Sequence, residues 1–102
     1  MISAKFVKDV SENFNGTAYL YKLSKAVLCG YSWDDEEEKT DAPTTKYVVV
    51  SGVNAMMSGP ETYIFAADKE GNIIDWSEMN GSFRGSIDHE RAIQNAGWKL
   101  AQ

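Results

Sequence analysis

A chain of 102 residues with 43% hydrophobic content is long enough for one core and too apolar to be disordered throughout. Its single cysteine, Cys29, excludes an intramolecular disulfide and a Cys-x-x-C metal or redox motif, and suits a reducing compartment. The net charge of −5 sits in residues 34–41, where six acids meet one lysine; the remainder carries nine acids and nine bases, so acidity is a local feature.

The N-terminal "MISAKFVKDV" does not have the order of a signal peptide, because no apolar run follows its first charge. Residues 2–14 carry two competing patterns. Phe6, Val7, Val10 and Phe14 share a helical stripe, whereas Ile2, Ala4 and Phe6 alternate as in a strand. Asn15-Gly16 supports a hairpin if strands flank it. Next, "TAYLYKLSKAVLCGYSW" is rich in aromatic and aliphatic strand formers, with a bend or bulge expected near Ser24-Lys25. After the acidic run, "KYVVVSGV" at 46–53 has the two-sided apolar character of a central or covered strand.

Ser58-Gly59-Pro60 marks a turn. "ETYIFAAD" at 61–68, "KEGN" and "IIDW" at 73–76 read as strand, tight turn and returning strand. "SEMNGSFRGS" is a glycine-bearing loop. The helix expected after it is capped by Ser86, has Asp88 and Glu90 in its first turn, and stops at Gly97. "WKLAQ" fits a short last strand with Trp98 and Leu100 inward. The expected architecture is α+β: one compact domain over 1–102, a single antiparallel sheet of four to six strands with one or two helices packed on a face, and a solvated acidic loop at 34–45.

Two segments are candidate sites. Asp34, Asp35, Glu36, Glu37, Glu38 and Asp41 would attract a basic protein, or serve only as a wet connection. They lack the glycine and ligand spacing of a calcium loop, so no metal is expected. Ser82, Arg84, Gly85, Ser86 and His89 lead into a helix start and could hold an anion, or satisfy turn geometry alone. They match neither a Walker loop nor G-x-G-x-x-G, and "HERAI" is not H-E-x-x-H. Asp75, Glu78, Asp88 and Glu90 could join them in an active site only if folding converged them. No catalytic residue and no cofactor is assigned. Ten dispersed lysines and arginines beside an acidic run disfavour direct nucleic-acid binding, and the tyrosines and tryptophans are read as sheet core. No stretch is apolar enough for a membrane helix.

"ETYIFAADKEGNIIDWSEMNGSFRGSIDHERAIQNAGW", covering 61–98, resembles small conserved proteins of phages and mobile elements. Some of these act in host takeover or against defence systems. The resemblance implies an interaction protein over a metabolic enzyme and carries no residue role. The expected function is therefore a small acidic cytoplasmic protein acting through protein–protein interaction, as an inhibitor or modulator of a basic partner. The alternatives are an enzyme or small-anion-binding domain with its site at 81–91, and a structural homo-oligomer joined through a sheet edge.

Overall fold

The computed structural model describes residues 1–29, 44–55, 57 and 59–101. The acidic run at 34–41 lies outside the described residues; of the loop expected at 34–45, only Thr44 and Thr45 are described, and they open a strand. The ambiguous N-terminus is strand β1, Ser3–Asp9, followed by a 3-10 turn at Ser11–Asn13. β2 spans Thr17–Leu28, β3 Thr44–Ala55, β4 Gly59–Ala67, β5 Ile73–Asp75 and β6 Phe83–Arg84. Helix α1 spans His89–Asn95 and β7 Lys99–Leu100.

The strands form one sheet in the order β5-β4-β3-β2-β1-β7, with β6 paired to β4 off that path. This corrects the expected antiparallel sheet with one or two helices on a face. The fold is mostly strand, a curled half-barrel of mixed sense with one short helix. Mixed sense arises at the end of the chain, where β7 runs parallel to β1 through Ser3↔Lys99 and Ala4↔Leu100. The curl has a local cause. The register shifts between Phe6 and Lys8, between Lys22 and Val27, and between Ala66 and Ala67, and such irregularities bend a strand and raise its twist. The second of these contains the bend expected at Ser24-Lys25.

β3 is central because both its faces are covered. Val48, Val49 and Val50 are all fully buried, and the alternation sends Val48 and Val50 to one face and Val49 to the other. On the first face Tyr21, Leu23, Val48, Val50, Ile64 and Ala66 pack with Ala92 and Ile93 of α1 and with Trp98. On the second, Leu20, Ala18, Val49 and Ala67 pack with Val10, and Phe14, Tyr47 and Ile73 partly cover them. Among the described residues no α-helix lies over this second cluster, which the 3-10 turn flanks at Val10 and Phe14.

α1 starts two residues later than expected. Its cap is Asp88, whose Oδ1 accepts the Arg91 N–H at 3.0 Å, and not Ser86. Thr62 explains the shift. This fully buried side chain donates its hydroxyl to the Ser86 carbonyl at 2.8 Å and accepts the Asp88 N–H at 3.0 Å. Residues 86–88 are thereby pinned to β4 outside the helix, with Asp88 extended, and Ser86 lies two residues before the cap.

Candidate functional site: an aromatic groove on the open face

The 10–16 connection is folded tightly against the sheet. The Val10 N–H donates to the Ala18 carbonyl at 2.8 Å, and the Ser11 hydroxyl accepts the Ala18 N–H at 2.8 Å. Gly16 makes the closest approach: a Cβ there would stand 1.9 Å from the Gly52 carbonyl oxygen, so only glycine fits. This docking brings Phe14 and Asn15 up to β3 on the open face.

β4 alternates so that Tyr63 and Phe65 share that face, opposite Ser51 and Val49 of β3. The chain leaving β5 then adds Trp76. Its direction is set by Asp75 Oδ1, which accepts the Ser77 N–H at 2.9 Å. Phe14, Asn15, Ser51, Val53, Tyr63, Phe65 and Trp76 enclose an open groove of about 310 Å³. A second hollow of about 270 Å³ lies across Phe14 and Trp76, against Gly71, Asn72 and Ile73.

The rings form a continuous row. Tyr63 stacks on Phe65 at 5.8 Å, Phe65 meets Trp76 edge-on at 5.1 Å, and Trp76 tilts over Phe14 at 6.2 Å. Edge and offset contacts of this kind are favourable, so each ring braces the next. Trp76 is nevertheless 65% exposed. This corrects the reading of the tyrosines and tryptophans as sheet core: Trp98 is buried at the helix face, but Trp76 stands in solvent.

At the Tyr63 end the row becomes ionic. Register pairs Glu61 of β4 with Arg84 of β6, and Arg84 Nε lies 3.4 Å from Glu61 Oε2. Another guanidinium nitrogen is 3.6 Å from Glu78 Oε2. The guanidinium also sits 5.7 Å from the Tyr63 ring centroid. Glu61 is only 5% exposed, and the Tyr63 hydroxyl donates to its Oε1. That hydrogen bond raises the phenol above its ordinary pKa, with burial adding to the effect. The phenol therefore stays protonated at neutral pH. Among the described residues, two carboxylates thus meet one guanidinium at this end.

The five residues of the expected anion site do not act together. The Ser82 hydroxyl accepts the Ile64 N–H at 2.9 Å and donates to the Met79 carbonyl at 2.8 Å. The Gly85 N–H donates to the Pro60 carbonyl at 2.9 Å, and the Ser86 carbonyl is taken by Thr62. His89 Nε2 lies 2.9 Å from the Thr17 carbonyl, and its ring packs on Tyr19 at 4.5 Å. Tyr19 pairs with Val50 and Tyr63 with Ser51, so His89 and Arg84 engage rings on opposite faces of the sheet. Glu78 joins Arg84, whereas Asp88 caps α1. The six carboxylates at 34–41 lie outside the described residues.

Cys29 is half-buried at the edge of the first cluster. Burial, with a smaller contribution from Asp75, pushes its thiol up, away from the reactive thiolate. Among the described residues no helix is long and apolar enough to cross a membrane.

The open face thus carries an exposed aromatic groove that ends in an ionic cluster. No family model matches this chain, and no curated protein or solved structure matches it significantly.

Proposed function

We propose that this is a small interaction protein that binds a basic segment of another protein and thereby inhibits or modulates it. The observation that carries this reading is Trp76, 65% exposed yet braced by Phe65 and Phe14 above an open groove. Tryptophan, tyrosine and arginine anchors near well-formed hollows dominate interface energetics. Leaving most of a ring of this size in water forgoes the hydrophobic stabilisation that covering it would supply.

The choice of a basic occupant follows from charge. Aromatic faces attract cations, among the described residues no cationic side chain lines the groove, and its end carries two carboxylates against Arg84. The chain as a whole is at −5, so a basic partner would be steered toward it at low ionic strength. In this account the run at 34–41 contributes to that steering. The single free cysteine supports a cytoplasmic setting.

Calorimetric titration with a capped hexapeptide of alternating arginine and leucine tests the reading. The expected Kd is about 10–100 µM, weakening as salt rises. The glutamate–leucine counterpart should give no heat of binding. Equal binding of both peptides, or of neither, overturns the basic-partner reading.

A further inference from the structure

The acidic end of the groove already holds a guanidinium at a solvent-exposed position, where it also donates to the Tyr63 hydroxyl at 3.5 Å. Arg84 is 59% exposed along its side chain, whereas Glu61 is 6% exposed. The carboxylate is therefore the buried member of the pair and the cation the solvent-facing one. The two nitrogen–oxygen distances, 3.4 and 3.6 Å, exceed the roughly 2.7–2.9 Å of a tight charge-assisted hydrogen bond. The Arg84 guanidinium lies 5.7 Å from the Tyr63 centroid, so the seat offers a flat ring on one side and carboxylates at the rim. A planar, forked cation suits such a seat better than an ammonium does. Tyr63 also lines the groove, so this seat adjoins the docking surface.

We infer that Glu61, Glu78 and the Tyr63 ring form an arginine site for the partner, and that Arg84 is its built-in occupant, displaced when the partner's arginine arrives. The inference rests on the basic-segment reading above and specifies which cation is recognised, and where. The exchange replaces one guanidinium by another, so the buried Glu61 carboxylate keeps a cationic partner throughout. That matters because stripping a buried charge of its partner is costly, whereas a swap is not. The displaced Arg84 moves into water that already reaches more than half of its side chain. Self-occupancy lowers the apparent affinity by the fraction of time the seat is filled. The arrangement thus raises by one common factor the intrinsic affinity that any cation needs to fill the seat, and selectivity for arginine rests on the fit of the planar fork.

The test compares wild type with Arg84→Ala, using the capped arginine–leucine hexapeptide and its lysine–leucine counterpart at neutral pH. Arg84→Ala should bind the arginine peptide roughly three- to tenfold more tightly. The lysine peptide should gain less, and adding Glu61→Gln should abolish the gain. An Arg84→Ala protein that is folded by circular dichroism, yet binds the arginine peptide no more tightly than wild type, overturns the inference. The basic-segment reading would survive that outcome if the wild type still prefers basic over acidic peptide. Should Arg84→Ala not fold, the wild type answers by NMR. The Arg84 Nε–H resonance should shift and exchange faster with water as peptide saturates the protein. A resonance unmoved at saturation overturns the inference equally.

Discussion

Gly81→Ala should destabilise the fold by about 3 kcal/mol or more, because it combines backbone strain with overpacking. Gly81 has φ of +110°, and a Cβ there would lie 2.7 Å from the Ala92 carbonyl oxygen, 2.8 Å from Ile64 Cδ1 and 2.9 Å from Ala96 Cβ. Neither side can yield easily. The loop is tied to β4 on both flanks: the Met79 N–H donates to the Ile64 carbonyl at 2.8 Å, and the Ser82 hydroxyl accepts the Ile64 N–H at 2.9 Å. The helix side is packed through Ala92 and Ile93, both fully buried. For a domain of this size the melting temperature should fall by more than about 12 °C. Gly85→Ala is the control. Its φ is +114°, but nothing lies within 4 Å of its Cβ position, so it isolates the strain. It should cost roughly 1–2 kcal/mol. Equal losses at the two sites would show that the loop and helix are not packed as described.

Trp76→Ala should weaken binding of the arginine–leucine peptide at least tenfold, about 1.4 kcal/mol, as expected for the central aromatic anchor of a docking site. Stability should change by less than about 1 kcal/mol, since Trp76 is 65% exposed and its ring contacts are one edge-on with Phe65 and one tilted with Phe14. That separation distinguishes a recognition role from a packing role. Trp76→Phe should recover most of the affinity, because it keeps a ring face for the cation. A ring that served only to shield the sheet would show the reverse pattern, with lost stability and unchanged binding. Chemical denaturation and calorimetry on the same two variants give both numbers.

Locally encoded features were legible in the chain. "KYVVVSGV" announced a strand covered on both faces, and β3 buries three successive valines. The 61–76 hairpin had strong strand formers on either side of a turn, and β4 and β5 form there with Gly71 N–H bonded to the Asp68 carbonyl at 3.0 Å. Residues 2–14 resisted because both periods were present. The structure takes the strand pattern to Asp9 and leaves Phe6 and Val7 half in solvent, so burial does not favour either pattern cleanly.

The mixed sense of the sheet depends on β7 reaching β1 from the opposite end of the chain, and two residues of pairing carry no local signature. β6 is equally short and lies among glycines that mark a loop, so the cross-strand pairing of Glu61 with Arg84 has no local signature. The groove has the same origin. Phe14, Ser51, Tyr63, Phe65 and Trp76 come from four segments, and each aromatic was explicable alone as core. Contiguous charge at 34–41 drew attention because sequence displays neighbours along the chain, whereas a sheet face is assembled from residues far apart in it.

The most direct test of the docking surface maps the arginine–leucine hexapeptide onto the ¹⁵N-labelled protein by amide and indole chemical shifts. The account predicts that saturable shifts cluster at Phe14, Ser51, Tyr63, Phe65 and the Trp76 indole, one connected patch of the open face. Shifts confined to the opposite face, around Tyr19 and His89, or to residues 34–41 alone, would contradict it.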